Sequence, residues 1–274
     1  MSRILSQAIQ FWLRSRVDQI QDLRVNLSGS NRAILSGSLP KASVFATKAA
    51  YQGIHLSQIE AIGSNIRLNL KQVLRGQPLQ LVERFPIDCT LYLSPEDLSA
   101  SSKAPILIQG LQDIWPALIQ DWIQTLNPAL NPALNLLSLT VTANSRVPDQ
   151  VHPLKTARLQ LIDVKLTTSQ IILDALLSFP EQSGLPIPSL IPLSLVTHLE
   201  VVTPQLLQLT HLQIQAPLLI PETTLEQFQI DLGSDVKIQQ LYFSPAGIFL
   251  QGQSGSIPNG SIPHSNAFQS DSER

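Results

Sequence analysis

The sequence predicts an α+β fold organised around an antiparallel meander with one apolar face. Three observations predict it. From Asp22 to Leu93, apolar and polar residues alternate strand after strand. Residues 2–21 carry apolar side chains at spacings of three and four. A second helical pattern runs from Pro105 to Leu126. A period of two buries one sheet face and wets the other, while spacings of three and four give a helix one apolar stripe.

The N-terminal helix sets Leu5, Ile9, Trp12, Leu13, Val17 and Ile20 on one face, with Arg3, Gln7, Gln10, Arg14 and Asp18 opposite. The spacing predicts packing on the meander. The alternative is an interfacial membrane helix, with Arg14 and Arg16 flanking Trp12. In the meander, Leu23, Val25 and Leu27 alternate with Arg24, Asn26 and Ser28. A turn over 28–31 follows, and Ala33, Leu35 and Leu39 resume the alternation. Strands continue over Lys41–Ala50 and Ile54–Ile62, broken near Tyr51-Gln52-Gly53. Residues 71–76 suggest a helical turn, and Phe85–Leu93 another strand. Ser94-Pro95-Glu96-Asp97 is a helix start: Ser caps, Pro suits the first turn, and the acids meet the positive end of the helix dipole. Glu96 and Asp97 are thus explained as caps rather than as a catalytic pair.

In the second helix Leu107, Leu111, Ile114, Trp115, Leu118 and Trp122 form a broad stripe, and Pro116 is expected to kink or split it. The tandem Asn-Pro-Ala-Leu repeat makes 127–135 a loop or linker. Beyond it, Leu137, Leu139 and Val141 alternate, and 157–166 reads as a strand. Ser169–Phe179 reads as a short helix, and a proline-rich crossing follows over 180–192. Leu207 and Leu209 alternate, then Leu212 and Ile214 do so one residue out of phase, which predicts a β-bulge. Strands around Phe228–Leu232, Val236–Ile238 and Ile248–Leu250 close the fold. Residues 1–252 are expected to form a single elongated domain and 253–274 a disordered tail.

Of the 274 residues 43% are hydrophobic and 14% charged, against a usual quarter charged. Such a chain needs its apolar faces covered, which points to a hydrophobic groove or a membrane-facing surface. The alternative is a Leu-rich β protein with an ordinary core. A net charge of −2 gives no electrostatic case for a nucleic-acid partner. Residues 1–48 hold seven basic and two acidic residues, so the basic charge gathers at the N-terminal end. One cysteine, Cys89, allows no internal disulfide. Gln7, Gln10 and Arg14 interrupt any signal-peptide core. No run of about 20 apolar residues suits a membrane span.

Catalytic patterns are absent from the sequence: no nucleophile elbow, no phosphate loop, no dinucleotide fingerprint. The five histidines are scattered; His198 and His211 meet only if a hairpin joins them, and zinc would need a third ligand. Neither a metal nor a cofactor is expected, and the chain does not read as an enzyme.

Several segments carry a resemblance. They are Leu35-Ser36-Gly37-Ser38-Leu39, Tyr51-Gln52-Gly53-Ile54-His55-Leu56, Asn65-Ile66-Arg67-Leu68-Asn69, Leu74-Arg75-Gly76-Gln77-Pro78-Leu79, Leu93-Ser94-Pro95-Glu96-Asp97-Leu98 and Ile230-Asp231-Leu232-Gly233 with Val236. In these the chain resembles the bacterial LmeA-like phospholipid-binding family over roughly residues 20–252. The resemblance implies an elongated α+β fold, similar to tubular lipid-binding proteins. There a strongly curved antiparallel sheet wraps along a long helix, with acyl chains in an apolar groove. It also implies work in the cell envelope, whereas the N-terminus suggests a cytoplasmic or membrane-peripheral site. The expected function is non-enzymatic binding or transfer of a phospholipid, with peripheral membrane contact. The alternative is an assembly protein with a self-filled groove and a protein partner. Ile9, Trp12, Leu13, Trp115, Leu118 and Trp122 are the expected groove lining, unless they are plain core.

Overall fold

A computed structural model of the protein describes residues 2–69, 72, 81–125, 157–179, 190–216 and 220–255. The expected loop over 127–135, the alternation over 137–141, the 180–189 crossing and residues 256–274 lie outside them. The first sheet is six-stranded, in the order β1-β2-β3-β4-β11-β10, and every pairing is antiparallel. Its strands are β1 (Asp22–Ser28), β2 (Ser38–Tyr51), β3 (Ile54–Arg67), β4 (Pro86–Leu93), β10 (Val236–Ser244) and β11 (Gly247–Gly255). The second sheet runs β5-β6-β7-β8-β9, also antiparallel. It comprises β5 (Arg158–Leu166), β6 (Ile171–Ser178), β7 (Leu190–Thr203), β8 (Leu206–Ala216) and β9 (Ile220–Asp231). Four helices stand among the described residues: α1 (Ser2–Arg14), α2 (Asn31–Leu35), α3 (Pro95–Ser101) and α4 (Pro105–Thr125).

This overturns the expected fold class. The protein is mostly β, in two sheets, and among the described residues no long helix runs along a strongly curved sheet. The physical reason is that the second half carries enough inward-facing Leu and Ile to build its own sheet. That sheet takes up α4 as its cover: Trp115, Leu118, Ile119 and Trp122 pack with Leu159, Leu177, Leu193 and Ile214 in a closed core. Pro116 lies within α4, and the element continues through it to Thr125.

Three local expectations are also corrected. Ser169–Phe179 is not a helix; Ile171–Ser178 forms β6, paired on both edges with β5 and β7. A short apolar run fits either period, and the two ladders decide for the strand. Ala33 and Leu35 do not continue the meander. Ser30 caps α2 instead, its hydroxyl accepting from Ala33 N at 3.2 Å. The first helix stops at Arg14, because the chain beyond it is captured by β2: Gln19 and Ala50 exchange backbone hydrogen bonds, and Gln21 N donates to Thr47 O.

The N-cap signal before α3 is realised as a full capping box. Asp97 N donates to Ser94 Oγ at 3.2 Å, and Ser94 N donates to Asp97 Oδ2 at 3.0 Å. α3 then ties the two sheets together. Asp97 accepts from Ser57 Oγ on β3, and Ser101 Oγ accepts from His55 N at 2.8 Å. Ser102 Oγ reaches Ile162 O of β5 at 3.3 Å. The bulge expected in β8 is present: the β7–β8 register shifts by one residue opposite Thr197, and His211 takes φ 49°.

Candidate functional site

α1 lies over one end of the first sheet. Ile9, Leu13 and Ile20 pack against Leu23, Val25, Ala46 and Ala49. At the other end of β2 a second cluster gathers Ile34, Leu39, Ile66 and Leu68, with Leu81 and Phe85 against it. Between the two clusters the sheet face is open, and a cavity of about 620 Å³ lies there. That is within the usual size of ligand pockets.

The cavity exists because the inward residues of the two central strands are small. Ala42, Ala46 and Ala49 on β2 and Ala61 and Gly63 on β3 line it. Gly63 is required at its position: a Cβ there would stand 2.7 Å from the Phe85 ring. The apolar face is kept continuous by two paired breaks in the pleat. Pro40 and Asn65 drop out of the β2–β3 ladder together, as do Lys48 and Ser57. Asn65 (φ 57°) and Lys48 (φ 47°) are left-handed. The inward set therefore changes from Leu39 to Ala42, Val44 and Ala46, then to Ala49 and Tyr51. Without these breaks, fourteen-residue strands of fixed parity would turn their Leu and Ala to solvent beyond each break.

Among the described residues no charged side chain lines the cavity, and Trp12 and Tyr51 alone bring polar side-chain atoms to it. Arg16 sits over the Trp12 ring at 5.8 Å from its centroid, on the solvent side of the chamber. The groups whose ionisation is shifted (Cys89, Glu96, Asp97, Lys165 and Asp174) lie outside the lining. The arrangement can desolvate an apolar chain, with the Trp12 N–H and the Tyr51 hydroxyl as the polar side-chain groups of its described walls.

The structure divides the expected lining in two. Ile9, Trp12 and Leu13 face the cavity together. Trp115, Leu118 and Trp122 are instead 2%, 4% and 0% exposed in the closed core beneath α4. The alanines and Gly63 were not singled out from sequence, although small residues at inward strand positions were the available signal. His198 and His211 do meet, ring centroids 5.9 Å apart and edge-on. Among the described residues no group of three His, Cys, Asp or Glu side chains is placed to hold a metal ion.

No curated protein and no solved structure matches the chain significantly. A family model described as LmeA-like phospholipid-binding matches residues 1–253, nearly its whole length, and the protein belongs to that family.

Proposed function

We propose that the protein is a non-enzymatic phospholipid carrier that holds an acyl chain in the cavity between α1 and the first sheet. The observation that carries this reading is a chamber of about 620 Å³ with no charged residue among the described residues of its wall. Burying methylenes gains about 0.8 kcal/mol each, so a chain of roughly sixteen gains about 13 kcal/mol before ordering costs. Carbon alone is thus sufficient for retention. Ile9, Trp12 and Leu13 cover the chain from the α1 side.

Membrane contact is part of the proposal. Phe11 is 78% exposed on the outer side of α1, with Arg14 and Arg16 exposed beside it. An aromatic side chain among cations suits an anionic bilayer surface. Among the described residues no helix is long and apolar enough to cross a membrane.

Native mass spectrometry of the purified protein, followed by organic extraction, tests the reading. The expected result is a phospholipid at stoichiometric amount. A lipid-free mass that stays unchanged after incubation with liposomes overturns it, and favours the assembly-protein alternative with a protein partner.

A further inference from the structure

The apolar cavity has a polar neighbour. A hollow of about 300 Å³ shares Phe85 and Gly255 with it, at the end of β2 away from α1. The hollow forms where the last hairpin closes on β4. Pro86 of β4 pairs with Gly255 of β11, and Lys237 of β10 pairs with Gln253. That register gathers Arg84, Lys237, Asp235, Ser234 and Ser254 around one opening. These residues lie far apart in sequence, and only the return of the chain to the first sheet brings them together.

Two cations stand there against one carboxylate. Arg84 Nη1 lies 3.6 Å from Asp235 Oδ2, with both side chains about two-thirds exposed (63% and 68%). A long, exposed ion pair of that kind is weak and readily exchanged. Among the described residues no carboxylate is within ion-pair distance of Lys237. The nearby Asp88 is engaged by Gln253, whose Nε2 donates to its Oδ1 at 2.9 Å. An arginine fork, an ammonium and two hydroxyls match the oxygens of a phosphate.

We propose that this hollow seats the phosphate of an anionic phospholipid whose acyl chain passes Phe85 into the apolar cavity. Arg84 and Lys237 hold the phosphate, and Asp235 is the anion it displaces. The inference rests on the acyl-chain reading above, because the wall residues shared with the apolar chamber, Phe85 and Gly255, are what favours an amphiphile over a free phosphate.

The test compares three probes on the full chain: phosphatidylglycerol, diacylglycerol with the same acyl chains, and inorganic phosphate. The wild type is expected to bind phosphatidylglycerol at least about tenfold more tightly than diacylglycerol, the worth of one charge-assisted contact. Arg84→Gln with Lys237→Gln should erase that ratio while leaving diacylglycerol binding unchanged. Asp235→Asn should move the other way and strengthen phosphatidylglycerol binding severalfold, an outcome that a merely structural role for the ion pair would not give. A ratio unchanged in both variants overturns the headgroup site and leaves the acyl-chain reading standing. Failure of the wild type to bind either lipid overturns both. Inorganic phosphate binding as tightly as phosphatidylglycerol overturns the phospholipid as the source of the anion.

Discussion

The two halves of the molecule use one plan with opposite outcomes. Each lays a helix on the apolar face of an antiparallel sheet. Beneath α4 the space is closed: Trp115 and Trp122 meet Leu159, Leu161, Leu177, Ile191, Leu193 and Ile214, and none of these is more than 5% exposed. Beneath α1 it is open, because the central strands present Ala42, Ala46, Ala49, Ala61 and Gly63. Side-chain volume, rather than topology, separates a core from a chamber. Interiors pack to crystal-like density when volumes match, and a void persists where small residues face one another across rigid strands.

The largest effect is expected where the plan is closed. Trp122→Ala should cost about 3–5 kcal/mol, as large-to-small core changes do. Thermal unfolding should fall by roughly 6–20 °C. Binding of lipid per folded molecule should be retained, since Trp122 does not line the cavity. A variant that unfolds normally but loses lipid would mean that the two halves share one chamber.

A matched pair of alanines comes next. Ala46 and Ala175 are equally buried, at 2% and 1% exposed. Ala175→Leu overpacks the closed core and should destabilise by about 1–3 kcal/mol. Ala46→Leu projects into empty space and should stabilise the lipid-free protein by up to about 2 kcal/mol, while lowering lipid retention by about tenfold. Thermal shift and extracted lipid, measured on both, decide it. The same sign in both variants would show that the chamber is not empty space available to a chain.

What the sequence revealed follows the range of its interactions. The strands β1 to β4, the cap at Ser94 and the bulge near His211 are written in neighbouring residues and were legible, whereas the helix at Asn31–Leu35 was not. The β6 segment was ambiguous because Ile171–Ser178 satisfies both periods, and only its partners choose. The pairing of β11 with β4 joins residues more than 150 apart, and no local pattern encodes it. Hence the hollow around Arg84 and Lys237 was invisible. The expected lining divides between cavity and core for a related reason. Ile9, Trp12 and Leu13 adjoin the strands they cover, whereas the stripe from Trp115 to Trp122 looks the same whether it faces ligand or Leu.

A smaller effect is expected at the joint between the halves. Burial disfavours the charge on Asp97, but hydrogen bonds from Ser57 and from Ser94 outweigh it and hold the carboxyl below its usual range. A depressed folded pKa means that the contribution is complete above the unfolded value, about pH 4, and is lost as pH falls through the folded value. Asp97→Asn should cost about 0.5–2 kcal/mol near neutrality, as a lost cap does. The difference between the two stability curves should shrink below about pH 4. Denaturant titrations at pH 3 and pH 7 measure it; a difference independent of pH would mean that the carboxylate's charge plays no part in the joint.

The smallest effect marks how far the open half extends. Cys89 follows Ile87 on the same face of β4, yet Ile87 lines the cavity and Cys89 does not. Burial, and secondarily the charge of Asp88, push its thiol pKa up. Less thiolate is then present at neutral pH, so labelling by a thiol reagent should be slower than for an exposed cysteine and should quicken as pH rises. Asp88→Asn removes the like charge and should quicken it slightly. Loading the protein with lipid should change the rate by less than about twofold if the chain comes no further along β4 than Ile87, since neither the thiol's access nor its ionisation is then altered. Strong protection on loading would carry the ligand along β4 beyond Ile87 to Cys89, and would make the chamber longer than its lining now defines.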